Sequence, residues 1–218
     1  SDSGLGTGTE TFFVGNVIHN IHSTDSFNPD NPHDDAAISL RGSTHRYVIN
    51  NTLWDYDAGM MLPGNIGYVE IENNIFGARA VALGRDVFVE GTASATSTMK
   101  NDIFGSTARI QWGTGTIYNL ADFQTATSKG QNSLTTDPLF VNAGSGNFHL
   151  QDTSPARNAG LVHSVYTTFQ TRYGLSIQAD KDGVTRPQES VWDIGAYEYG
   201  VVVTQGKTPR GGGGRRPR

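Results

Sequence analysis

Apolar and polar residues alternate in short bursts along most of this chain. Ala37-Ile38-Ser39-Leu40 and Ala80-Val81-Ala82-Leu83 place large apolar side chains at every second position, the period of a half-buried strand. Between such stretches a longer pattern returns: an apolar residue, any residue, Asn, any residue, then large apolar positions. It reads Val14-Gly15-Asn16-Val17-Ile18, Ile49-Asn50-Asn51-Thr52-Leu53-Trp54, Ile71-Glu72-Asn73-Asn74-Ile75-Phe76 and Met99-Lys100-Asn101-Asp102-Ile103-Phe104. A fainter copy lies at Gln131-Asn132-Ser133-Leu134. Aligned on Asn16, Asn51, Asn73, Asn101 and Asn132, the spacings are 35, 22, 28 and 31 residues, so 22 is taken as the bare repeat.

Strands this short cannot each build a core. Stacked as turns of a solenoid, each pairs with its equivalent one turn above and below, roughly 4.8 Å away, and the inward Ile, Leu, Val and Phe form columns. Asn suits the corners, because it tolerates a left-handed backbone and its amide can bond to the Asn of the next turn. The pattern therefore predicts an all-β fold, a parallel β-solenoid of about four or five coils over 1–116. Two helices are predicted in the covering region 117–200. One is capped by Asn119 with Asp122 at its third position, runs to about Lys129 and stops at Gly130. The other is capped by Ser164 and ends at Gly174, with Val165, Phe169 and Tyr173 as its apolar stripe.

Composition narrows the function classes. Only 17% of the 218 residues are charged, there are 27 Gly, and Cys is absent. Thiolate metal sites, Cys nucleophiles and disulfides are thereby excluded, and no apolar run is long enough for a membrane-spanning helix. The last twelve residues, 207–218, hold one Lys and four Arg; without them 11 bases face 21 acids, a body near −10. An acidic body lacks the clustered cations that phosphate contacts need, so nucleic acid is not expected as a partner. The Gly/Arg-rich segment 201–218 reads as a disordered tail. The N-terminus shows no signal-peptide pattern, which suggests a processed chain or a piece of a longer one whose coils continue in another segment or chain.

The chain resembles right-handed parallel β-helix proteins. Its second half is similar to the choice-of-anchor Q type of secreted bacterial β-helix protein, through Ile117-Tyr118-Asn119-Leu120-Ala121-Asp122-Phe123-Gln124, Thr136-Asp137-Pro138-Leu139-Phe140-Val141, Gly146-Asn147-Phe148-His149-Leu150, Ser154-Pro155-Ala156-Arg157-Asn158-Ala159-Gly160 and Asp193-Ile194-Gly195-Ala196-Tyr197-Glu198-Tyr199. The resemblance implies a secreted or cell-surface protein that interacts with polysaccharide, as a polysaccharide lyase, a glycoside hydrolase or a binder. A non-catalytic surface or matrix protein, with the solenoid as spacer or adhesin, is the alternative.

Candidate chemistry clusters early. The longest interval exceeds the bare repeat by 13 residues, which map onto the polar stretch His22 to Asp35. Its Asp25, Asp30, Asp34 and Asp35 are hard oxygen ligands of the kind Ca²⁺ takes. Asp34-Asp35 before Ala37-Ile38-Ser39-Leu40 is similar to the paired-Asp coil of polygalacturonase-like hydrolases, where one carboxyl protonates the leaving oxygen and another activates water. The other motifs of that family, Asn-Thr-Asp, Gly-His-Gly and Arg-Ile-Lys, are absent. A lyase instead needs a base beside a cation that neutralises a uronate, for which Arg41, His45, Arg46 and Lys100 are candidates. Trp54, Trp112 and Trp192 are candidate stacking platforms for sugar rings, but Trp54 occupies the large apolar position of its repeat and is read as interior or corner packing. The turn Asp180-Lys181-Asp182-Gly183 is read as structural.

Overall fold

The computed structural model describes residues 9–23, 28, 36–42, 44–64, 67–105 and 107–200. The chain passes through three sheets in rotation. The first circuit is β1 (Glu10–Val14), β2 (Val17–Ile21) and β3 (Ala36–Ser39); the second is β4 (His45–Ile49), β5 (Thr52–Tyr56) and β6 (Ala58–Leu62). The third is β7 (Tyr68–Glu72), β8 (Ile75–Arg79) and β9 (Val87–Glu90), and the fourth is β10 (Thr98–Lys100), β11 (Ile103–Phe104) and β12 (Ile110–Gly113). A four-residue helix, α1 (Ala93–Thr96), lies between the third and fourth circuits. Every third strand returns to its own sheet and pairs parallel: β1-β4-β7-β10 in the first, β2-β5-β8-β11 in the second, β3-β6-β9-β12 in the third. The protein is thus rich in β-structure with parallel open sheets.

One core is shared by all three. Val48, Val69, Ile71 and Met99 come to it from the first sheet, Leu53, Phe76 and Phe104 from the second, and Ile38, Met60, Val87, Val89 and Ile110 from the third. At its far end β13 (Ile117–Tyr118) folds back antiparallel on β12, and α2 (Leu120–Thr127) inserts Leu120 and Phe123 beneath Trp112. The Asn119 side chain caps α2 by accepting the Asp122 N–H at 2.9 Å. The left-handed stop is Ser128, earlier than the expected Gly130.

The remaining chain covers two outer faces. β14 (Leu134–Thr135) extends the second sheet, and β15 (Phe140–Asn142) pairs antiparallel with β16 (Asn147–Leu150). Phe140, Phe148, Leu150, Ala156 and Ile194 pack on Ile75 and Ile103, on the outside of the second sheet. The helix α3 (Val165–Tyr173) and Trp192 pack on Tyr47 and Ile49, outside the first. The stripe expected on this helix meets Phe12, whose ring lies 5.1 Å from Phe169 and 6.1 Å from Tyr173. Among the described residues no helix is long and apolar enough to cross a membrane.

Two sequence expectations need correction. The first is the repeat register: two adjacent columns of side chains, not one, climb each corner, and both form ladders. Gly15, Asn50, Asn73, Asn101 and Asn132 take the left-handed backbone between first- and second-sheet strands. The corner Asn bond one another as expected, Asn73 Nδ2 giving to Asn50 Oδ1 at 3.3 Å and Asn101 Nδ2 to Asn73 Oδ1 at 2.8 Å. The next residue of each pair points inward and builds a second ladder: Asn16 bonds Asn51, Asn51 bonds Asn74, and Asn74 bonds Asp102, with amide contacts of 2.9–3.0 Å. In register the shortest repeat is therefore 23 residues, the Asn51–Asn74 separation. Alignment of Asn51 with Asn73 mixed two columns that differ in side-chain direction. The second correction concerns Val81 to Leu83, which form a turn and not a strand. Arg79 holds it by donating to Val81 O at 3.3 Å and pairing with Asp86 at 2.7 Å, which leaves Leu83 55% exposed.

Candidate functional site

Alternation along the first sheet fixes which side chains leave the core. Glu10, His45 and Tyr68 share one register row, and Tyr47 pairs with Glu70 in the row after next. All five belong to the face opposite Val48 and Val69. His45 Nε2 lies 2.6 Å from Glu70 Oε1 and His45 Nδ1 lies 3.0 Å from the Tyr68 hydroxyl. A carboxylate only accepts, so Nε2 carries the proton of neutral His45 and Nδ1 accepts from Tyr68. Tyrosine, imidazole and carboxylate thus stand in line, the order of a group, its proton acceptor and the residue that orients the acceptor.

The covering segment completes the cluster. His163, two residues before α3, reaches Glu70 Oε2 with Nε2 at 3.0 Å, while its Nδ1 accepts the Val165 N–H at 3.0 Å. The backbone bond fixes the His163 tautomer, which makes Nε2–H a donor to Glu70. These bonds, with His163 the larger contributor, hold the Glu70 carboxyl below its ordinary range against the opposing effect of burial. Glu10 lies 3.8 Å from His45 Nδ1 and pairs with Arg172 of α3. Burial, then Glu70 and Glu10, raise the Tyr68 hydroxyl above its ordinary pKa; burial with the same two carboxylates pushes Tyr47 up to about 12. Both phenols therefore keep their protons at neutral pH.

The other sequence candidates are distributed unevenly. Lys100 stays on this face, its Nζ 3.0 Å from the buried Glu72 carboxylate in the neighbouring strand. Arg46 follows His45 and so points the other way, 1% exposed and in register with Val69 of the core. Arg41 is exposed in the segment after β3. Asp25, Asp30, Asp34 and Asp35 lie outside the described residues, so the calcium and paired-Asp readings have no geometry here. Among the described residues no group of three or more His, Asp or Glu is placed to hold a metal ion.

Tyr68, Glu70, His163, Glu10 and Arg172 escaped the sequence reading. Tyr68 and Glu70 had a signal: they are the polar phase of Tyr68-Val69-Glu70-Ile71-Glu72, and the 23-residue repeat sets Tyr68 opposite His45. His163 had none, since 93 residues separate it from Glu70.

A second feature lies on the second sheet. Trp54 projects outward from β5 in register with Gly77 and is half-buried, whereas Trp112 and Trp192 are buried. It lines a cleft of about 460 Å³ whose far wall is the chain from Thr135 to Phe140. Compared with protein-family models, curated proteins and solved structures, the chain matches none of them.

Proposed function

We propose that the circuits are coils of a right-handed parallel β-helix with a choice-of-anchor Q type covering region, in an extracellular protein that acts on acidic polysaccharide. The observation that carries the reading is the Tyr68–His45–Glu70 line on an outward sheet face. In β-elimination the Tyr68 oxygen takes the proton beside a uronate carboxylate as its own proton passes to His45 Nδ1. The C–H electron pair forms the new double bond, the glycosidic C–O bond breaks, and the leaving oxygen takes a proton back from the same relay. The raised Tyr68 pKa argues for concerted transfer, since burial first, and then Glu70 and Glu10, disfavour a free phenolate. The imidazolium formed in between is flanked by Glu70 and Glu10, which stabilise it. Lys100 and Arg172 border the face, and a uronate carboxylate would share them with Glu72 and Glu10, their partners in the chain.

A non-catalytic surface or matrix role has its own support: Glu70 is bonded from the sheet by His45 and from the cover by His163, the arrangement of a structural clamp. One experiment separates the two. Uronate polymers incubated with the protein, with and without Ca²⁺, should release unsaturated ends that absorb in the ultraviolet. Tyr68→Phe and His45→Ala should lower that rate about 100-fold or more. No absorbance from any uronate polymer, together with a folded and inert wild type, would favour the structural reading.

A further inference from the structure

The cleft beside Trp54 is built from the sheet upward. Outward positions of β5, β8 and the end of β11 form a row of Trp54, Gly77 and Gly105. The six-membered ring of Trp54 lies on Gly77, where an added Cβ would come within 2.4 Å of Cζ3. Gly105 is equally bare, its added Cβ 3.3 Å from the Gly77 Cα. Two glycines thus let the indole lie down along the sheet and keep the floor beyond it low. Phe140 holds the ring from the side, edge-on at 78° with centroids 5.1 Å apart. The opposite wall is mixed, with Thr135, Thr136, Asp137 and Gln151 beside the apolar Pro138 and Leu139. Asp137 is exposed and accepts the Leu139 N–H at 2.8 Å, and Gln151 is anchored by its Nε2 to Phe140 O at 2.8 Å. Leu139 is held in the left-handed region at φ 53°, a costly conformation for a branched side chain, and the next residue is the Phe140 that holds Trp54.

An aromatic face set firmly at the base of a cleft, with hydroxyl, amide and carboxylate groups above it, is the combination that recognises a pyranose ring. The apolar C–H face stacks on the indole and the ring hydroxyls bond the polar groups of the wall. Charge narrows the ligand. Among the described residues the lining carries one carboxylate, Asp137, and no Lys, Arg or His. A uronate brought there would meet like charge with nothing to neutralise it. We propose that this cleft is a binding subsite for one ring of a neutral glycan, on a different sheet from the Tyr68–His45–Glu70 line and independent of any catalysis there.

The three tryptophans make the test direct. Trp112 is 7% and Trp192 3% exposed, so ligand-dependent change in emission reports on Trp54. The full chain is titrated with neutral oligosaccharides (β-glucan, xylan, mannan and chitin fragments) and with oligouronates, following tryptophan emission. The expected result is saturable change with at least one neutral series and at least tenfold weaker binding of the oligouronates. Asp137→Ala and Thr135→Arg, both at exposed positions, should weaken binding tenfold or more with the circular dichroism unchanged. Trp54→Ala, which removes the reporter and is therefore followed by titration calorimetry, should abolish it. His45→Ala should leave it intact, so that loss of the acid–base reading and loss of this one are distinguishable. Silence across the neutral series, equal binding of uronates, or unaltered affinity in folded Asp137→Ala and Thr135→Arg would each overturn the proposal. The two exposed variants decide the matter if Trp54→Ala fails to fold.

Discussion

Asp102 breaks the inward ladder in an informative way. Asn51 and Asn74 each give one amide hydrogen to the backbone, at Phe13 O (2.9 Å) and Val48 O (2.8 Å). Phe13, Val48 and Ile71 share one register row, so the carbonyl at the matching place for Asp102 is that of Ile71. A carboxylate has no hydrogen to give there, and Asp102 Oδ2 is buried without a bond. Burial is the main reason its pKa climbs to about 8, with Glu72 adding to the rise and the Asn74 bonds opposing it. An acid whose pKa is raised by folding is tolerated best at low pH, where both folded and unfolded chains hold the proton. Its contribution is lost as pH climbs from the ordinary carboxylate range through about 8. Asp102→Asn restores the missing donor. It should stabilise the protein by about 1–3 kcal/mol at pH 8 and by much less at pH 4, in urea melts at the two values. An equal gain at both would remove titration of Asp102 as the cause.

At the scale of elements, the corner Asn residues show how the cover is held. Asn73 receives Leu161 N–H on Oδ1 at 3.0 Å and gives a hydrogen to Leu161 O at 2.7 Å; Asn50 gives to Asp193 O and Asn101 to Ala159 O. Asn73→Ala removes the paired bonds and leaves a Cβ residue at φ 58°. It should cost about 2–3 kcal/mol and speed proteolysis of 159–199 before that of the sheets, read by mass spectrometry of timed digests. The Glu70 clamp predicts a pH dependence of opposite sign to that of Asp102. Its carboxyl is depressed, so its contribution is present above the unfolded value of 4.5 and is lost as pH falls through the lower folded value. His45 and His163 bond it, and Tyr68 and Glu10 stand on the far side of His45. Glu70→Gln should flatten the acid limb of the stability profile, and an unchanged limb would assign it elsewhere. The sequence could report most strands and both helices of the cover, because period is local; the expected cap holds at Asn119, whereas the Ser164 side chain makes no cap bond, and the alternation of Val81 to Leu83 falls in a turn. It could not report which Asn looks in and which looks out, since adjacent residues of one pair differ only by the left-handed step at the corner. Nor could it bring His163 to Glu70, a contact made by docking.

For the whole molecule, the two ends of the shared core are unequal. At one end stand β1, β2 and β3, each the last strand of its sheet among the described residues. At the other, the first-sheet stack closes on β10 with one parallel bridge from Lys100 to Gln131, the antiparallel β13 lies along β12, and α2 turns across the interior. Phe123 is the plug: fully buried, its ring 5.3 Å from Trp112 and 6.1 Å from Tyr118. Gly130 returns the chain against it, where an added Cβ would lie 3.1 Å from the Phe123 ring and 3.4 Å from Met99 Cε. Parallel circuits transmit such a loss, because each strand is bonded to the same strand of the next circuit and the side-chain columns run unbroken from Phe123 towards Val48. Phe123→Ala should therefore cost about 3–5 kcal/mol, and the cost should appear in one transition shared by all circuits. Far-ultraviolet dichroism, which reports the sheets, and emission of the buried Trp112 beside the plug should shift together to lower urea. If Trp112 emission changed first, with the sheets melting at their original midpoint, the last circuit would be a separate cooperative unit and the core would not act as one body.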